Sequence, residues 1–173
     1  MQLDDLRWIV DLHRGQRVAG PWRQGAASVP PPGEWQAIWQ NVAHQLVVTD
    51  NTTGSPVGLV AAYNVDHRHG YAYLSIVLRS DASPFVSGEA SSMFIEYLFV
   101  NLRMRIVLIE SANARVGAFV AGSKLATVRV RMNDQWWDYK SDTYHDWVVA
   151  SIDAADWRHS STVERLRRGW VHQ

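Results

Sequence analysis

Apolar positions recur along this chain in two rhythms, and the change from one to the other divides it. In "DDLRWIVDLHR", Asp4 to Arg14, the residues Leu6, Ile9, Val10 and His13 share one helical face, with acids in the first turn. Gly15, Gly20 and the run "SVPPPGEW" break that pattern. "GEWQAIWQNVAHQ" resumes it, with Trp35, Ile38, Trp39 and Val42 as a second stripe. From "QLVVTD" onward the period shortens to two. "NTTG" turns the chain into "PVGLVAAYNV", and "DHRHG" closes a hairpin onto "YAYLSIVLR". Along this last segment Tyr71, Tyr73, Ser75 and Val77 share one face, and Ala72, Leu74, Ile76 and Leu78 the other. Both faces are largely apolar, as for a strand covered on each side.

Helical spacing returns at Gly88, with Ala90, Met93, Phe94, Tyr97 and Leu98 as the expected buried stripe. "RIVLIES" reads as a strand, "NARVGAFVAGSKL" as a helix, "ATVRVRM" and "YHDWVVASI" as strands, and "DAADWRHSSTVERLRRGW" as a terminal turn and helix. The strand-helix-strand passage from Tyr71 to Ser111 calls for a right-handed crossover, which sets two strands parallel within an otherwise antiparallel sheet. The expected class is α/β with a mixed sheet. At 173 residues without repeats or low-complexity segments, residues 1–173 are expected to form a single domain, with the proline run joining two helices of it.

Composition narrows the function. Seventeen basic residues balance seventeen acidic ones, so the basic face expected of a nucleic-acid or acidic-membrane binder has no support. The run "RLRRGW" reads as the solvated face of a helix end. The absence of cysteine excludes disulfides, thiolate catalysis and cysteine-ligated metals, and suits a reducing cytoplasm. "MQLDDLRWIV" has no signal-peptide pattern, and no segment reaches the roughly 18–20 apolar residues of a membrane helix. The expectation is a soluble cytoplasmic protein.

Three motifs invite chemistry. In "FVSGEASS", Ser87 reads as an N-cap, Gly88 lacks a side chain, and Ala90 and Ser91 keep the next turn open. Such a start either caps the helix or offers N–H groups to a phosphate. His67 and His69 beside Asp66 form too small a group for metal on one short turn, and no metal is expected. His145 and Asp146 project to opposite strand faces, and no Gly-x-Ser-x-Gly elbow accompanies them, which speaks against a hydrolase.

The order of elements from Gln45 to Trp157 resembles the GNAT superfamily of acyl-CoA-dependent N-acyltransferases, in the branch of ribosomal-protein and antibiotic acetyltransferases. "PVGLVAAYNVDHRHGYAYLSIV", "GEASSMFIEYLF", "RIVLIESAN" and "DWVVASIDAADW" carry the likeness. It implies a mostly antiparallel twisted sheet whose central parallel pair splays apart, with helices on both faces. It also implies acetyl-CoA, or another acyl-CoA, as co-substrate. The family's phosphate pattern falls on Phe85 to Ala90: Gly88 and Ala90 match, and Phe85 replaces the polar first residue. Val86, Ser87, Gly88, Glu89, Ala90 and Ser91 are thereby implied to face the diphosphate. Ile76, Val77 and Leu78 would give main-chain bonds to the pantetheine arm, and Asn113 matches an asparagine that bonds the cofactor or caps its helix.

Where the family places a tyrosine acid, this chain has Val120, and Lys124 and Leu125 replace a glycine-aromatic pair. The usual first strand is absent or reduced to "MQL". Glu110 is then the candidate base, or an exposed strand-end glutamate. Tyr144, or Tyr139, is the candidate acid. Tyr73 and Ser75 either face the acceptor or pack in the core. Trp137 and Asp138, with Trp136, would suit a cationic acceptor if "NDQWWDYKSDTY" is a loop over the site; the alternative is a loop that merely covers the sheet. The implied activity is transfer of an acyl group to a primary amine of a small molecule or protein. The alternative is a weakly active or inactive CoA-binding or protein-interaction module. Nine tryptophans suggest an exposed aromatic patch and a homodimer.

Overall fold

The computed structural model describes residues 8, 9, 11, 12, 42–112, 125–138 and 141–170. Six strands form one sheet: β1 (Val42–Thr49), β2 (Pro56–Asp66), β3 (Tyr71–Leu78), β4 (Ile106–Ser111), β5 (Thr127–Asp138) and β6 (Thr143–Asp153). Helix α1 (Pro84–Val100) crosses from β3 to β4, and α2 (Ala154–His159) and α3 (Ser161–Trp170) follow β6. The sheet order is β1-β2-β3-β4-β6-β5. Every neighbouring pair is antiparallel except β3 and β4, the parallel pair that the crossover demands.

Strand periodicity assigns the two faces. Val60, Ala62, Ala72, Leu74, Val107 and Ile152 point to the side covered by Phe94, Ile95, Leu98 and Phe99 of α1, with Trp157 of α2 and Val163 of α3. The opposite side is partly covered where Ile9 and Leu12, both helical, pack on Leu59 and Val77. The alternating faces of "YAYLSIVL" thus both meet helical cover.

Several boundaries differ from expectation. Val42 opens β1 instead of extending a helical stripe. Met93 is half exposed, and Ile95 and Phe99 take its place in the buried stripe of α1. Asn133 to Asp138 belong to β5 and not to a loop. A register shift between Met132 and Trp136, with Asp134 at φ 48°, marks where this strand buckles. Arg167 is no purely solvated residue: it joins the Trp157 indole in bonding Glu96 Oε2, at 2.9 and 2.6 Å. Burial works against charge on Glu96, yet these two donors outweigh it and hold the carboxyl below its ordinary range. The described part of the N-terminal segment is helical, and the rest of both N-terminal stripes, like the helix expected over "NARVGAFVAGSKL", lies outside the described residues.

Candidate active site

The parallel ladder between β3 and β4 is short. It pairs Tyr71 with Ile106 and ends at Leu74 with Ile109. Both strands continue beyond it. Ser75 to Leu78 remain paired to β2, opposite Ala61 to Gly58, while Glu110 and Ser111 run beside Val149 and Val148 of β6. The pairing of the two strands therefore ends after Leu74, and among the described residues no strand pairs with Ser75, Ile76 or Val77 on their β4 side. A sheet that opens at the C-terminal ends of two parallel strands exposes main-chain donors and acceptors to whatever enters the gap.

Glu110 stands on β4 one residue past the last β3–β4 pair. Only 5% of it is exposed, and its Oε2 accepts a hydrogen bond from the Tyr63 hydroxyl at 3.4 Å. Tyr63 and Tyr73 are cross-strand partners with ring centroids 5.4 Å apart, and Tyr71 meets Tyr73 edge-on at 6.4 Å. Cross-strand partners share a face, so Tyr63, Tyr71, Tyr73, Ser75 and Glu110 line the side opposite α1. Ser75 is buried there. By register Glu110 shares a face with Tyr73 and Ser75, while Ile76, Val77 and Leu78 continue β3 beyond its last pair with β4. Sequence reasoning missed Tyr63, whose signal was only its phase: it shares the register of Leu59 and Ala61 on β2.

The helix start needs correction. Ser83, not Ser87, is the N-cap: its Oγ accepts from the Phe85 N–H at 3.3 Å, and α1 begins at Pro84. The Ser87 N–H already reaches the Ser83 carbonyl at 3.4 Å, and Gly88, Glu89, Ala90 and Ser91 lie inside the helical ladder. Ser91 and Ser92 turn their hydroxyls back to the carbonyls of Ser87 and Gly88, both at 2.7 Å. Of the expected diphosphate residues, only Val86 falls in the first turn, where N–H groups lack intrahelical partners. A Cβ added at Gly88 would meet nothing within 4 Å, so no close approach of this molecule's own atoms explains that glycine. Phe85 is 87% exposed and leaves the tip open. Beside this turn a cavity of about 220 Å³ is lined by Asp11, Leu12, Arg79, Ser80 and Asp81. Arg79 forks onto Asp81 there, at 3.0 and 2.6 Å.

Tyr144 is not brought to Glu110. It opens β6 on the other face, 58% exposed, with its ring 4.9 Å from Trp137. Val148, beside Ser111, is four residues further on, about 13 Å along a strand. Trp137 and Asp138 cannot act as a pair, because strand alternation sends them to opposite faces. Asp138, 1% exposed, serves the β5–β6 turn: it accepts from Ser141 Oγ at 3.0 Å and lies 3.6 Å from His145 Nε2. His145 and Asp146 do diverge, Asp146 accepting the Asp134 N–H at 3.3 Å. His69 and Asp66 close their own hairpin, with two 2.8 Å contacts. Among the described residues no group of three or more histidines and carboxylates could hold a metal ion. Asn113, Val120, Lys124 and Tyr139 lie outside the described residues.

No family model matches the sequence, and no curated protein does. Solved structures do. A variant of the spermidine N-acetyltransferase SpeG from Vibrio cholerae superposes with a TM-score of 0.70 at 15% identity, covering 92% of this chain and 94% of that one. The dodecameric spermidine N-acetyltransferase of the same organism gives 0.71 at 14% identity, with 93% and 95% covered. A chimera of Vibrio cholerae SpeG and hSSAT gives 0.72 at 14%, with 92% and 96% covered. The chain has the GNAT fold. In this GNAT fold the parted strands, the mixed sheet and the crossover helix occur together, as the resemblance implied.

Proposed function

We propose that the protein is an N-acyltransferase that moves an acyl group, acetyl in the first instance, from CoA to a primary amine. One observation carries this reading: β3 and β4 part after Leu74, and a buried carboxylate, Glu110, stands one residue past their last pair. The SpeG structures, which act on spermidine, support transfer to an amine. When bound, acyl-CoA supplies an activated thioester.

The main chain of Ile76, Val77 and Leu78 would hold the pantetheine arm, since backbone groups there are indifferent to apolar side chains. The diphosphate would meet the turn from Arg79 to Val86, where the first turn of α1 offers its N–H groups and Arg79 would have to exchange its fork onto Asp81 for the phosphate. Glu110 takes the proton released as the amine nitrogen bonds to the acyl carbon. The carbon–sulfur bond then breaks, and the thiolate is protonated from water. Tyr63, bonded to the carboxylate, and Tyr73 against its ring favour an amine that arrives as the ammonium. It gives one proton to water before attack, so the nitrogen bonds as the neutral amine and Glu110 takes the second proton. Asn113 is proposed to bond the cofactor.

Val128, Val130, Trp137 and Tyr144 expose apolar surface on β5 and β6, which supports self-association. No helix among the described residues is long and apolar enough to cross a membrane, and the cysteine-free chain suits the cytoplasm.

Calorimetry with acetyl-CoA, followed by thiol release over a panel of amines, tests the reading. Binding and amine-dependent release are expected. Binding with no release under any amine would replace the transferase by a CoA-binding module, and no binding would remove both.

A further inference from the structure

A carboxylate as buried as Glu110 needs a donor to hold its charge and its direction. The structure supplies one from two strands away. Tyr63 stands on β2, and β3 lies between it and β4, a span of about 10 Å. The next pair on the same face is Ala61 with Ser75, both small and buried, so nothing large stands in the path of the phenol. The ring is held on its flank by Tyr73, itself held by Tyr71. Immediately after Tyr63 the β2–β3 register slips by one residue, with Asn64 at φ 48°. A bulge at that point bends the strand and re-aims the side chain beside it.

We propose that Tyr63 is a positioning residue for acyl transfer, its hydroxyl fixing the plane of the Glu110 carboxylate towards the opening between β3 and β4. This rests on Glu110 acting as the base, and it goes further by naming the group through which β2 takes part. Two other described tyrosines are engaged elsewhere. The Tyr97 hydroxyl is 3.2 Å from His44 Nδ1 on the α1 side, and Tyr144 faces Trp137.

Tyr63→Phe keeps the ring and its stacking and removes only the donor. Its kcat is expected to fall about tenfold, as for loss of one hydrogen bond to a charged group, with the KM for acetyl-CoA unchanged. Because the hydroxyl acts through Glu110, adding Y63F to E110Q should cost nothing further. In the protein without substrate, the ¹³Cδ resonance of Glu110, identified by its loss in E110Q, should move in Y63F. Where Y63F is too unstable to assay, Tyr63→His against Tyr63→Leu gives the same contrast, a ring donor against none. Turnover by wild type with full-rate Y63F would overturn the role of Tyr63 alone, as would losses that multiply in the double variant or an unmoved resonance. A wild type without turnover on any amine would sink the transferase reading and this role with it.

Discussion

The two faces of the central strands are built from the same alternating segments and do opposite work. On the α1 side, Ala72, Leu74 and Val107 meet Phe94, Leu98 and Phe99 in a continuous apolar layer. On the other side, the same strands carry Tyr73, Ser75 and Glu110, with Tyr63 from β2. A period of two lets one residue serve stability while its neighbour serves chemistry. The division teaches that damage should separate: changes on one face should unfold the protein, and changes on the other should leave it folded and slow.

The widest expected separation comes from Glu110→Gln. Loss of a positioned general base should lower kcat by roughly 10²–10⁴-fold, with little change in the thermal midpoint. Steady-state kinetics beside a melting curve reads both. Leu98→Ala tests the opposite face. Leu98 is fully buried in the α1 layer, and its truncation should cost about 2–5 kcal/mol in denaturant unfolding while the rate per folded molecule holds.

Next is Glu96, which ties α1 to α2 and α3. Its carboxyl is held below the ordinary value of 4.5, so its contribution is whole above that pH. It disappears as the pH falls through the lower folded-state value. Glu96→Gln should therefore cost about 1–2 kcal/mol near neutral pH and much less at strongly acidic pH. Melting curves across that range give the sign. The smallest effect is expected at Gly88. It is an exposed residue inside α1 with open space around it, so Gly88→Ala should stabilise by about 0.5–1 kcal/mol. Its affinity for acetyl-CoA, measured by calorimetry, should stay near wild type. A large loss would return the diphosphate to Gly88.

Much of the fold was legible. The hairpin "PVGLVAAYNVDHRHGYAYLSIV" and the crossover to "RIVLIES" announce themselves by alternation, turn residues and connection length, and the parallel pair follows from handedness. The start of α1 is not legible, because "SGEASS" looks like a cap. The chain had already turned at Ser83, whose hydroxyl and the following proline fix the first turn. The polar composition around Trp137 and Asp138 suggests a loop. Two tryptophans paired across to β6 keep them in a strand despite the buckle at Asp134.

By itself the sequence determined which elements form, in what order, and that two strands must run parallel, because local propensity and chain handedness act over short stretches. It also marked Glu110 as a strand-end carboxylate. Only the tertiary structure decided that β3 and β4 part after Leu74, and that Tyr63, 47 residues away, meets Glu110. Register across a sheet and the aim of a side chain past a bulge depend on the packing of distant segments. No local pattern encodes them.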